Sequence, residues 1–227
     1  MTNRHNLFPR FSPVGDSALL IEFGEVLSPA VNKRVHLLDD WLRKAPLPGV
    51  MTWVPGYASL LIIYDPLKLR MPQIHEWLQE RWSTCPERAD RHPEWVEVPV
   101  RYGGEDGPDL AFVADFHHLT QAEVVARHTA PVYRVGMMGF TPGFAYLLGL
   151  NPGLATPRLA NPRTFVPAGS VGIAGAQTGI YPMDSPGGWQ LIGKTARVLF
   201  DRDHEPHFLL SPGDEVRFVV AEGSMVR

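Results

Sequence analysis

Aromatic rings and hydroxyl or amide groups alternate over one stretch of this chain. Phe140, Thr141, Phe144 and Tyr146 fall in GFTPGFAYL; Ser170, Gln177, Thr178, Tyr181, Ser185 and Trp189 fall in PAGSVGIAGAQTGIYPMDSPGGWQLIG. Rings can wall a pocket while amide, phenol and hydroxyl groups orient what enters, the usual makeup of a site for a small polar molecule. Gly143 and Gly169 join these candidates. Glycine adopts conformations closed to other residues and proline fixes φ, so a segment rich in both reads as short strands joined by shaped loops. The same residues also have a plain structural reading, in which Phe144 and Trp189 fill a core and the glycines shape turns. Composition leaves both readings open.

Other motifs invite sharper chemistry. GWQLIGKT, Gly188 to Thr195, matches the phosphate-loop expression letter for letter. A true phosphate loop follows a buried strand and opens a helix; here Trp189 to Ile192 and Ala196 to Phe200 read as strand, with Lys194 a solvated strand residue. AGSVG around Ser170 lacks the first glycine of a nucleophile elbow and no helix pattern follows, so Ser170 reads as a hydrogen-bonding loop serine. Asp115, His117 and His118 could suggest a metal, but adjacent histidines on a helix point about 100° apart and no matching cluster occurs elsewhere. GGEDGPDL lacks the alternating carboxylates of a calcium loop. It reads as a turn into a helix with Asp109 near the N-terminus, or as a loop at a shared site. Neither a Ser-His-Asp order nor a carboxylate pair stands out.

These groups need a scaffold, and 227 residues can bury a sizeable core as one large or two small domains. With 44% hydrophobic and 20% charged residues the chain reads as globular. A net charge of −3 gives no electrostatic reason to expect nucleic acid or a membrane surface. No apolar run reaches the roughly 18 residues of a membrane span, and MTNRHNLFPRFSP lacks the apolar centre of a signal peptide. Cys85 is the single cysteine and has no internal partner, which fits a reducing compartment; the expectation is a cytoplasmic protein.

The Pro- and charge-rich stretch from Ser83 to Glu94 is the expected domain boundary, giving domains 1–94 and 95–227. Strand patterns at Ser17–Phe23, Val50–Val54, Ala58–Tyr64 and Val96–Tyr102 alternate with helical patterns at Pro29–Lys44 and Met71–Trp82. The order is βαββαβ, the ferredoxin-like split arrangement. Beyond the boundary, Asp109–His118 and Thr120–His128 read as helices, the second opened by a Thr120/Glu123 capping box. Short strands follow at Tyr133–Phe140, Phe144–Leu150, Arg163–Pro167, Val171–Ala174, Gln190–Phe200 and Glu215–Val220. Many short strands with Gly/Pro turns favour a closed barrel, because closure removes exposed edges. The fold class expected is α+β.

The two Gly/Pro-rich signatures, with GDSALLIEFG, VPGYASLLIIYDP, VPVRYGGEDGPDL and FLLSPGDEVRFV, resemble one family across nearly the whole chain. It is the family containing the B subunit of bacterial 5-oxoprolinase, allophanate hydrolase subunit 1 and the Kip inhibitor of sporulation kinase. Thr141 stands where family members often carry serine, which keeps the hydroxyl. The resemblance implies an N-terminal ferredoxin-like domain and a C-terminal cyclophilin-like barrel. It also implies membership of a complex that opens 5-oxo-L-proline to L-glutamate with ATP and magnesium, working with a homologous C subunit and a separate A subunit. An allophanate- or urea-processing role and a non-catalytic kinase inhibitor are the alternatives it leaves open.

Overall fold

The computed structural model describes residues 9–25, 28–82 and 95–224, and the chain divides into two compact units, Met1–His92 and Pro93–Arg227. The expected boundary segment, Ser83 to Glu94, lies outside the described residues.

In the first unit, β1 (Arg10–Val14), β2 (Ala18–Glu22), α1 (Pro29–Lys44), β3 (Val50–Pro55), β4 (Ser59–Tyr64) and α2 (Met71–Trp82) follow in order. The strands make one antiparallel sheet, β1-β2-β4-β3. β4 alternates half-buried and buried residues, so Leu60, Ile62 and Tyr64 share the core face with Leu19 and Ile21 of β2. α1 begins where Ser28 accepts from the Val31 N–H at 3.2 Å and Pro29 supplies a preset φ. Its buried Val35, Leu38 and Leu42 join the same core. Trp53 Nε1 donates to Asp39 Oδ1 at 2.6 Å and ties the helix to β3.

The expected closing strand of this unit is elsewhere. β5 (Trp95–Tyr102) pairs residue for residue with β13 (Glu215–Val220) in the second unit, and Val98, Val100 and Tyr102 are buried in that core. The sheet edge beside β2 is held instead by β1, which pattern reading passes over because Pro13 interrupts it. Proline lacks a donor and is tolerated on an edge strand, which is where β1 lies.

The second unit continues with α3 (Leu110–Phe116), α4 (Gln121–Thr129), β6 (Tyr133–Met138), β7 (Ala145–Leu148), β8 (Arg163–Val166), β9 (Ser170–Ala174), β10 (Gln177–Ile180), β11 (Ser185–Gly187) and β12 (Gln190–Lys194) before β13. Among the described residues, seven strands close a barrel in the order β10-β7-β6-β13-β5-β12-β9, and β11 and β8 form a separate ribbon. The protein is thus mixed α+β with a closed barrel. The capping box forms as expected: Thr120 N–H donates to Glu123 Oε2 and Glu123 N–H to Thr120 Oγ1. Two of the strand limits that differ from expectation have a local cause. β6 stops at Met138, because Phe140 adopts φ 70°. The expected Gln190–Phe200 strand ends at Lys194, where Thr195 Oγ1 accepts from the Arg197 N–H in a local turn that competes with the ladder.

Candidate functional site

Beside the barrel, Phe144, Val166, Ala174, Tyr181, Trp189 and Leu191 form a small separate core. Phe144 is its hub. Its ring meets Tyr181, Trp189 and Phe140 edge-on at centroid distances of 5.2, 5.4 and 5.6 Å, the arrangement favoured by aromatic quadrupoles. A cleft of about 300 Å³ opens against these rings. Phe140, Phe144, Tyr146, Tyr181 and Trp189 line it with Arg158, Leu159, Pro162, Pro186, Gly187 and Gly188.

The backbone at each wall explains the glycines and prolines. After β6 the chain turns tightly: Phe144 N–H donates to Thr141 O and Gly139 N–H to Phe144 O. The turn leaves Phe140 60% exposed at φ 70°, a region L-residues rarely occupy, while Phe144 is buried. Gly143 at φ 83° is required twice over, since an added Cβ would lie 2.7 Å from Phe200 Cβ. Across the cleft, an added Cβ at Gly187 would lie 2.8 Å from Cε1 and Cζ of Tyr181. Burial raises the Tyr181 pKa, and a backbone hydrogen bond from Trp189 and the charges of Arg158 and Arg163 partly offset it. Burial also raises Tyr146, again offset by Arg158. Both phenols remain protonated donors at neutral pH.

Trp189 is braced from outside the cleft. Asp109 precedes α3 as expected, but its side chain does not cap that helix. Its Oδ2 accepts from the Leu191 N–H at 2.6 Å and its Oδ1 from Arg163 at 2.7 Å, while the other Arg163 nitrogen reaches Trp189 O at 3.4 Å. Within GGEDGPDL, Gly107 packs so closely on Ile192 O that no side chain fits. The acidic loop is thus seated on β12.

The structure brings together five of the residues expected to form the site, Phe140, Phe144, Tyr146, Tyr181 and Trp189. Six others lie elsewhere. Gly143 supports the turn, and Gly169, at φ 81°, packs on the Thr195 carbonyl. Ser170 is buried at the start of β9, where its carbonyl accepts from the Tyr181 N–H, so it sits in a strand rather than a loop or elbow. Gln177 and Thr178 belong to β10 and Ser185 to β11, so the stretch between the expected strands Val171–Ala174 and Gln190–Phe200 contains two short strands. Thr178 is in the barrel interior, donating to Gly172 O. Gln177 and Ser185 do not line the cleft. Sequence reasoning misses Arg158, Leu159 and Pro162 because LATPRLANPR lies outside both aromatic signatures; its two Pro-Arg pairs, Pro157-Arg158 and Pro162-Arg163, spaced five residues apart, are the available signal.

Other motifs resolve plainly. Lys194 ends β12, half-buried, with no helix after it, so GWQLIGKT forms no phosphate cradle. Lys194 instead lines a second cleft of about 320 Å³ with Arg101, Thr195 and Arg197. His117 Nε2 bonds Thr156 Oγ1 at 3.1 Å. Among the described residues no group of three or more His, Cys, Asp or Glu is placed to hold a metal, and no helix is long and apolar enough to cross a membrane.

Known proteins match this architecture. The chain is 43% identical over 216 residues to the 5-oxoprolinase B subunit of Bacillus subtilis, covering 91% of this chain and 90% of the relative. The Escherichia coli O157:H7 protein of the same name is 44% identical over 207 residues, with 91% and 93% covered. The crystal structure of TTHA0988 superposes with a TM-score of 0.81 at 43% identity, spanning 91% of this chain but 40% of that longer one. The Kluyveromyces lactis urea amidolyase shares the fold at 22% identity and a TM-score of 0.78, over 97% of this chain and 15% of its own length. The family model for the carboxyltransferase domain, subdomain C and D, matches residues 9–210. With that match and relatives above 40% identity, the chain belongs to the carboxyltransferase domain family, subdomain C and D.

Proposed function

We propose that this protein is the B subunit of a cytoplasmic, ATP-dependent 5-oxoprolinase that opens 5-oxo-L-proline to L-glutamate. The observation that carries the reading is the identity of more than 40%, nearly end to end, with proteins named as the 5-oxoprolinase B subunit. The urea-processing alternative rests on relatives at 22–29% identity that this chain spans only in small part. In this reading the barrel is the cyclophilin-like domain and the aromatic cleft is the substrate face.

A lactam is a resonance-stabilised amide and a poor electrophile. ATP, with magnesium, supplies the activation by phosphorylating the amide oxygen, and such transfer depends on positioning and charge stabilisation more than on a protein nucleophile. The described residues of this chain offer no phosphate loop for the nucleotide. The nucleotide site is therefore assigned to the companion proteins, the A subunit and the homologous C subunit, and the active site is shared. This chain contributes apolar walls that exclude water and two protonated phenols, Tyr146 and Tyr181, that orient the substrate.

Reconstitution tests this. The purified chain alone releases no glutamate from 5-oxoproline and Mg-ATP; adding the companion subunits restores release. Full activity of the chain alone removes the shared site, and an inactive complete mixture removes the 5-oxoprolinase reading.

A further inference from the structure

Among the described residues, Arg158 is the sole charged residue lining the aromatic cleft. Its side chain is exposed, and among the described residues it has neither an ion pair nor a hydrogen bond. Arg163, nearby, is different: its charge is paired with Asp109 at 2.7 Å. A single cation facing two phenols and no carboxylate gives the cleft an electrostatic preference for an anion.

Arg158 is also held in place. The preceding carbonyl, of Pro157, accepts from the buried Gln190 Nε2 at 2.9 Å, and the following N–H, of Leu159, donates to Gly188 O at 2.7 Å. Two residues flanking Trp189 thus pin the backbone on both sides of Arg158. The anchor is fixed relative to the indole, while its guanidinium stays free. Fixing the backbone lowers the ordering cost of binding, and a guanidinium matches a carboxylate with two parallel N–H donors.

From this geometry we infer that Arg158 is the carboxylate anchor of the cleft, selecting small cyclic amides that carry a carboxylate over those that do not. The ring of such a ligand lies against Trp189 and Phe144, and its amide faces the Tyr181 phenol. Gly187 leaves room for that phenol at the cleft wall, because any side chain there collides with it. Gln190 is a positioning residue that acts through Pro157. The inference rests on the 5-oxoprolinase reading for the identity of the ligand, and the cleft geometry stands apart from it.

The test uses the reconstituted complex with 5-oxoproline and with 2-pyrrolidinone, the same lactam without the carboxylate. Arg158→Gln raises KM for 5-oxoproline by about 10- to 100-fold with a much smaller change in kcat, Arg158→Lys recovers part of it, and the preference for 5-oxoproline over 2-pyrrolidinone collapses. These expectations correspond to losing one charge-assisted hydrogen-bond pair. An unchanged KM, or equal losses on both lactams, overturns the anchor while leaving the 5-oxoprolinase reading intact. If the wild-type complex is inactive, the 5-oxoprolinase reading fails, and titration of the chain alone with cyclic carboxylates decides the anchor. Binding lost in Arg158→Gln sustains it, and binding that is absent or unchanged overturns it.

Discussion

His128 Nε2 lies 2.9 Å from Thr178 Oγ1 in the barrel interior. Because that hydroxyl donates its proton to Gly172 O at 2.9 Å, it accepts from the imidazole. Nε2 is then the protonated nitrogen, and Nδ1 accepts from the Tyr102 phenol at 2.8 Å. The chain of donors runs one way from β5 through α4 to β10 and β9, with Tyr133 donating to His128 O at 2.7 Å. Every polar group of this buried imidazole is satisfied only in the neutral state.

Stability therefore falls with acid. Burial lowers the His128 pKa from 6.5 to about 3. Between these values the unfolded chain binds a proton that the folded chain refuses. The contribution is complete above about pH 6.5 and is lost as pH drops toward 3, at up to about 1.4 kcal/mol per pH unit. Urea melts at about pH 7.5, 6 and 5 check this. His128→Gln should be less stable at neutral pH and show a shallower decline across the same window.

The Asp109 and Arg163 pair should couple. Asp109→Ala strands a buried Leu191 N–H and frees Arg163, at a cost of about 2 kcal/mol, while Arg163→Ala costs less because its side chain is partly exposed. A double-mutant cycle on denaturation free energies should return a coupling of about 1 kcal/mol. Additive losses would show that the contact does not brace the loop.

Two glycines separate backbone strain from collision. Gly175 at φ 55° has open space around an added Cβ, so Gly175→Ala costs about 1 to 2 kcal/mol for the left-handed conformation alone. Gly169 at φ 81° also faces the Thr195 carbonyl, so Gly169→Ala costs at least about 1 kcal/mol more. Thermal melts of the two variants give the comparison.

Cleft and core roles separate at three residues. Tyr181→Phe keeps the ring and should fold normally while turnover of the reconstituted complex falls about five- to a hundred-fold. Phe144→Ala removes the hub of the aromatic cluster and should cost about 3 to 5 kcal/mol in stability. Gln177→Ala, outside the cleft, should leave kinetics unchanged. Melting temperature and turnover of each variant distinguish these outcomes.

Local pattern alone determined the elements whose signals are carried by neighbours in sequence. The 3.6-residue spacing of Val35, Leu38 and Leu42 set α1, Thr120 and Glu123 opened α4, and the alternation in SLLIIY set β4. The clustering of rings in two Gly/Pro-rich segments also pointed to the walls of the cleft. Partnership across the chain was decided by the tertiary structure. Whether Trp95–Tyr102 closes the first sheet or joins the barrel depends on a parallel pairing with Glu215–Val220, far along the chain. Period-two alternation shows which face of a strand is buried and says nothing of which strand lies beside it. The same limit hid Arg158: its sequence neighbours are ordinary, and it becomes an anchor only because Gln190 and Gly188 fold back to hold Pro157 and Leu159.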